Sequence, residues 1–328
     1  MPHEILVEYT RGDRSESQHH GAYCVVEGGA VVRSKGDIEV PVFYRSACKP
    51  LQTIAVVESG AADRFGFTAE ELALVVGSHD GSRRHAENAA SMLRKAGASP
   101  DLLRCGGHVP LSREVYEQYV REGKFWARLE DNCSGKHAGM IAASCAYGED
   151  PARYAEGDAR VQRENLENVA LFTGVPAERI ARGVDGCAAP NFAVPVRAMA
   201  LAMARFTSPE GLPDAKAAIA RRITASVLAN PDMIAGPKRF DTRLIRAAKG
   251  ALLSKEGAEG VQVVGLLGRD TGIAVKIADG GKRAAEAVIA TLLVELGAVP
   301  ADEIGYEERF RSVRNREGSL VGEARVLL

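Results

Sequence analysis

The residues best suited to strands stand at the two ends of this 328-residue chain, with a long helix-prone stretch between them. At the start, "ILVEY" is followed by "AYCVVEGGAVVRSKGD", two apolar runs that meet at a Glu27-Gly28-Gly29 turn. Towards the end, "GVQVVGLLGRDTGIAVKIADGG" has the pattern of a hairpin around Gly268-Arg269-Asp270-Thr271-Gly272, and "KRAAEAVIATLLVELGA" that of a final helix. In the middle, "LQTIAVVESG", "TAEELALVVG", "SRRHAENAASMLRKAG" and "NFAVPVRAMALAMARF" carry apolar residues at helical spacing, and several end at Gly. Terminal strands bury their apolar faces by joining one sheet under a cover of helices. The expected fold class is therefore α+β, a mixed or antiparallel sheet from the N- and C-terminal strands packed with helices. We expect a single catalytic unit over residues 1–328, with sheet-forming termini at 1–45 and 255–300 and a mostly helical middle at 46–254. The charged tail after Pro300 is expected to be partly mobile.

Charge narrows the function classes. Basic and acidic residues nearly cancel, 42 against 43, and aromatics are sparse, so neither nucleic acid nor an anionic membrane is an expected partner. The N-terminal "MPHEILVEYTRGDRSESQHHG" lacks the pattern of an export signal, and no apolar run is long enough for a membrane span, which gives a cytoplasmic expectation. Cys24, Cys48, Cys105, Cys133, Cys145 and Cys187 are scattered, unlike a disulfide framework; in a reducing compartment such residues are core fillers, ligands or nucleophiles. An enzyme acting on a small molecule fits best.

Four stretches could carry chemistry. "YRSACKPLQ" holds Ser46 and Lys49 at i, i+3, one face of a helix, so the lysine amine can take the serine proton. Pro50 suits a first helical turn, whose positive end favours a neutral, basic lysine. About one such S-x-x-K arises by chance in a chain of this length, so alone it decides little. "GSHDG", residues 77–81, places Ser78, His79 and Asp80 between glycines, as in a loop beside a ligand, though the local pattern favours a capped turn with Asp80 or Ser82 opening the next helix. "SKEGAEG", residues 254–260, puts the Lys255 amine at the mouth of a strand or simply in a solvated loop. In "NCSGKH", residues 132–137, a helix capped by Asn132 would bring Cys133, Lys136 and His137 to one face. Cys187 in "VDGCAAPNF" could add a second thiolate, giving an open zinc site with Lys136 or His137 as the nitrogen donor; on spacing alone two unrelated buried cysteines read better.

The order of the first three elements, S-x-x-K, a central serine loop and a late K-x-G, resembles that of serine β-lactamases and penicillin-binding proteins, with Ser-His-Asp replacing S-D-N and Lys-Glu-Gly replacing K-T-G. With "LLRCGGHVPL", "NCSGKHAGM", "DGCAAPNFAVP", "PDMIAGPKRFDT" and "GIAVKIADG" added, the chain from Val7 to Gly280 resembles the thermolabile (class 3, rhizobial-type) L-asparaginase family. That resemblance implies a fold like that of serine β-lactamases, penicillin-binding proteins and β-lactamase-like glutaminases. It also implies hydrolysis of L-asparagine to L-aspartate and ammonia through a serine–lysine acyl-enzyme, and a homodimer. Ser46 with Lys49 and Ser78 with Lys255 become two catalytic pairs, and Cys133, Lys136 and Cys187 ligands of one Zn2+ per chain. Arg45, His137 and Asp185 become substrate-binding residues. "GDARVQREN" departs from the family pattern, which has an acidic residue and His-Pro before Val-Gln; a dimer contact or a pocket edge is the expected place of its effect. A glutaminase and a penicillin-recognising serine amidohydrolase are the alternatives, and a zinc-binding protein without catalysis stands outside that class.

Overall fold

Hydrogen-bonded ladders, rather than the local runs alone, define the sheet-forming ends. The computed structural model describes residues 4–328; residues 1–3 of the expected sheet-forming stretch lie outside it. Its strands are β1 (Glu4–Arg11), β2 (Arg14–Glu27), β3 (Ala30–Lys35), β4 (Pro41–Phe43), β5 (Ala181–Val184), β6 (Pro190–Pro195), β7 (Leu252–Gly257), β8 (Val261–Leu266), β9 (Thr271–Ile277), β10 (Ser312–Arg314) and β11 (Leu320–Val326). The chain forms two compact units: one holds the residues up to Ala47 with Val194–Ser208 and Arg243–Leu328, the other Cys48–Ala193 and Pro209–Thr242.

The first unit contains an antiparallel sheet in the order β10-β11-β1-β2-β9-β8-β7, with β3 paired to β2. The two terminal hairpins form as expected. Gly28 and Gly29 both take positive φ, the conformation a two-residue hairpin turn needs to match the strand twist. Strands β7, β8 and β9 are buried along almost their whole length, as strands covered on both faces are, although β7 ends the sheet. The helix Val196–Thr207 lies against β2, β8 and β9, and Lys282–Glu295 against β1, β8 and β9. Gly265 and Gly272, paired across β8 and β9, let the first of these helices approach: a Cβ on Gly272 would stand 1.9 Å from the Ala200 carbonyl oxygen.

Three expectations change. The tail after Pro300 supplies β10 and β11, and β11 pairs with β1 through Tyr9 and Ala324, so the sheet extends beyond residue 300. "NFAVP" belongs to β6 and the helix begins only at Val196; Pro195, with a fixed φ, ends the strand just before the helix. Lys255 lies inside β7, paired with Val263, rather than in a loop.

The second unit is mostly helical. The helix Ser134–Tyr147 is buried on every side through Ser144, which its neighbours permit because Gly135 and Gly139 keep one face flat. A Cβ on Gly135 would meet the Leu74 carbonyl oxygen at 2.5 Å, and one on Gly139 would meet the Val75 methyls at 3.1 Å. Leu74 and Val75 belong to the helix Ala69–Val76, opened by a capping box in which Thr68 and Glu71 satisfy each other's backbone amides. Where the family pattern is broken, Arg160 opens the helix Arg160–Thr173, lies 4.0 Å from the Tyr147 ring and pairs with Glu164. Among the described residues no helix is long and apolar enough to cross a membrane.

Candidate active site

The helix Ala69–Val76 stops at Gly77 and delivers "GSHDG" to the centre of the second unit, where all five residues are buried. Lys49, the first residue of the helix Lys49–Glu58, is completely buried and points its amine at this loop. Nζ donates to the Gly77 carbonyl at 2.5 Å, to Ser78 Oγ at 3.0 Å and to the Asn132 carbonyl at 3.4 Å. A buried amine needs hydrogen-bond partners, and Lys49 Nζ has three within reach. Lys49 is thus bonded to the serine 29 residues further on.

Ser78 is held from both sides of its peptide. Its amide donates to the Ile234 carbonyl at 2.8 Å, and Arg239 Nη1 donates to its carbonyl at 2.5 Å. The next residue locks the loop to "NCSGKH". Gly81 donates to His79 Nδ1, His79 Nε2 lies 2.9 Å from Ser134 Oγ, and that hydroxyl donates to the Leu129 carbonyl at 2.8 Å. Burial first, and then the charges of His85 and Lys49, keep His79 neutral, so Nε2 carries the proton and Ser134 accepts it. The serine of "NCSGKH" is therefore an anchor. Beyond it Asp80 bonds to His85 at 2.9 Å, and a Cβ on Gly236 would overlap the Asp80 carboxylate.

The cysteine cluster starts from the same helix. Cys133, not Asn132, stands at its N-cap, and Ser134 is the first helical residue. Cys187, on the loop between β5 and β6, lies close enough to Cys133 for the two thiols to influence each other. Lys136 Nζ donates to Cys187 Sγ at 3.1 Å, and Asp185 Oδ2 lies 3.5 Å from the same sulfur. The loop takes a left-handed residue at Ala188, a strained conformation for a side-chain-bearing residue. The Cys187 thiol, helped by Lys49 and Lys136 and opposed by burial, lowers the Cys133 thiol; Cys187, beside a buried thiolate, is raised. Burial pushes Lys136 down, but the sulfurs and Asp185 outweigh it and keep the ammonium charged. Burial and the Cys133 charge raise Asp131 to about 6.

Two cysteine sulfurs and one amine on the second of them form a donor set suited to a zinc ion with an open position. The fit requires Cys187 and Lys136 to give up their protons, as metal ligands do. Among the described residues no group of three or more His, Cys, Asp or Glu is gathered for a metal; here lysine would be the third donor.

His137 bonds to a phenol rather than to a sulfur. Its Nδ1 lies 2.6 Å from the Tyr154 hydroxyl, and its Nε2 is buried without a hydrogen-bond partner among the described residues.

The remaining expected site residues, Arg45, Ser46 and Lys255, lie in the first unit, the first two in the turn Arg45–Cys48. Arg45 has φ 54°, so a strained residue directly precedes the half-buried Ser46. The end of β7 packs on this segment: a Cβ on Gly257 would meet the Tyr44 carbonyl oxygen at 3.0 Å and the Ala47 amide at 3.2 Å. Two residues before it, Lys255 is completely buried and donates to the Glu256 carbonyl at 2.7 Å. His79, Ser134, Tyr154 and Arg239 were given no role by the sequence; Arg239 does lie in the family-like "PDMIAGPKRFDT", whereas nothing marks Tyr154.

The family model described as L-asparaginase II matches residues 7–326. No curated protein matches the chain. Among solved structures it is similar to a putative beta-lactamase from Bacteroides dorei DSM 17855, at 12% identity and TM-score 0.43 over 84% of this chain and 93% of that one. A class C beta lactamase from Rhodobacter sphaeroides shares 15% identity, with TM-score 0.42 over 83% and 95%. Mglu in its glutamate form shares 15%, with TM-score 0.42 over 85% of this chain and 61% of that one.

Proposed function

This chain belongs to the L-asparaginase II family, a family of amide hydrolases, and on that premise we propose that it hydrolyses L-asparagine to L-aspartate and ammonia. The observation that carries the reading furthest is the buried Lys49 amine 3.0 Å from Ser78 Oγ, three residues along the chain from Ser46. Buried amines and hydroxyls in hydrogen-bond contact are the parts from which a serine nucleophile and its proton carrier are made.

In the proposed cycle Ser46 Oγ attacks the side-chain amide carbon while Lys49 takes its proton. The C–N bond breaks, and Ser78 with Lys255 passes a proton to the departing ammonia. Water, losing a proton to Ser78 and Lys255, then attacks the aspartyl ester; the bond to Ser46 Oγ breaks, Lys49 returns its proton to that oxygen, and the aspartate carboxylate is released. Arg45, Asp185 and His137 hold the charged and polar ends of the amino acid. Cys133, Lys136 and Cys187 would hold one zinc ion, whose bound positive charge would help anchor and orient the substrate. We further propose that the enzyme works as a homodimer.

The test is release of ammonia from asparagine and from glutamine by the purified protein and its Ser46→Ala variant. Asparagine turnover that disappears in the variant supports the reading; near-wild-type turnover in Ser46→Ala sinks the nucleophile assignment. A site shaped around one methylene discriminates by only about 1–3 kcal/mol, so weak glutamine turnover is compatible with it.

A further inference from the structure

His137 has two ring nitrogens in different situations, and the count of protons decides which one carries hydrogen. Tyr154 is completely buried, and burial above all keeps its phenol protonated. The Tyr154 oxygen already accepts the Arg104 amide at 2.7 Å. Its own proton needs an acceptor, and the atom in reach is His137 Nδ1 at 2.6 Å. If Nδ1 carried hydrogen instead, the phenol proton and the Nε2 lone pair would both be left without partners in a buried place. With the phenol donating, one group is left over: an N–H on Nε2, buried with no acceptor among the described residues. Buried donors are almost always satisfied, so such an exception asks for an explanation.

We propose that Tyr154 is a positioning residue whose hydroxyl fixes His137 as its Nε2–H tautomer, making the ring a hydrogen-bond donor reserved for an oxygen atom of the substrate. The inference rests on the amide-hydrolase reading above and adds to it a residue that the sequence did not single out. Because the phenol donates to Nδ1, that nitrogen is bare and the ring proton sits on Nε2. The fold holds the device in place at both ends. The helix Ser134–Tyr147 carries His137, and Gln162 Nε2 donates to the Tyr154 backbone carbonyl at 2.8 Å. Substituting the phenol leaves that backbone bond intact, and Arg104, which loses its acceptor, is exposed.

Two measurements test the proposal. In the purified protein with 15N-labelled histidine, the ring signals of His137 are those missing from His137→Gln. They should show a bare Nδ1 and a protonated Nε2 at neutral pH, and Tyr154→Phe should mix the two tautomers. A protonated Nδ1 in the wild type, or an unchanged pattern in Tyr154→Phe, overturns the proposal. In the second measurement, Tyr154→Phe should raise KM for asparagine about tenfold, the loss of one buried hydrogen bond, with kcat within about twofold. In a His137→Gln background, whose amide keeps a donor with no tautomer to fix, the same change should leave KM within about twofold. An equal rise in both backgrounds makes Tyr154 merely structural and overturns the proposal. Should asparagine give no ammonia at all, the substrate reading fails, while the ring-nitrogen spectra still decide the role of Tyr154.

Discussion

Lys49 Nζ has three acceptors and one of them is a hydroxyl, which makes the Lys49–Ser78 contact the most testable pair of atoms in the second unit. Ser78→Ala removes that hydroxyl and should lower asparagine turnover by about 100-fold or more, the usual scale of a lost proton carrier, while circular dichroism stays unchanged. The S-x-x-K spacing had singled out Lys49, but its bond to Ser78 depends on how the helix Ala69–Val76 is laid beside it, which no spacing within one segment encodes. The same holds for His79 and Ser134, read as parts of two separate motifs and joined at 2.9 Å. His79→Phe leaves both the Gly81 amide and the Ser134 hydroxyl short of a partner and should cost about 1–3 kcal/mol in urea unfolding. In the first unit His19 Nδ1 bonds to Asp279 at 2.7 Å. Burial pushes the Asp279 carboxyl up, but the Gly281 amide and His19 pull it further down, so its folded pKa lies below the unfolded value of about 3.9. Its contribution to stability is therefore present above that value and lost as pH falls through the folded one. Asp279→Asn should lower the urea midpoint at neutral pH, and the gap from wild type should close on acidification below about pH 4.

At the scale of elements, the helix Ser134–Tyr147 matters most, because it aligns Cys133, Lys136 and His137 from a buried position. Gly135→Ala drives a Cβ into the Leu74 backbone and should destabilise by about 1–3 kcal/mol with a lowered thermal midpoint. Gly157→Ala, at a surface turn with open space around it, should stay within about 0.5 kcal/mol. Hairpins β2–β3 and β8–β9 and the long helices were legible, since their signals are local: glycine turns and apolar periodicity. The rest depended on distant partners. Strand β11 is only half-buried and its residues alternate weakly, so its place beside β1 is set by pairing over three hundred residues of chain. "NFAVP" is too short for its period to separate strand from helix, and the ladder with β5 decides it. Asn132 is a good capping residue by type, yet its carbonyl serves Lys49 and His79 while the helix starts after Cys133.

For the whole molecule, near-neutral charge and a family match over residues 7–326 agree with a chain devoted to a small polar substrate. The family was readable from motifs, whereas the bond between His137 and Tyr154 needed three-dimensional contacts. A homodimer should sediment at twice 34.9 kDa. Purified with zinc available, the wild type should hold one metal per chain by elemental analysis, and Cys187→Ser should lose most of it; equal metal content in both would remove Cys187 from the ligand set. Central to the whole account is the claim that a serine of this chain carries the aspartyl group of asparagine. The most direct measurement is ammonia and aspartate release from L-asparagine by the purified wild type beside Ser46→Ala. The account predicts equal amounts of the two products from the wild type and almost none from the variant; no release from the wild type, or undiminished release from the variant, would contradict it.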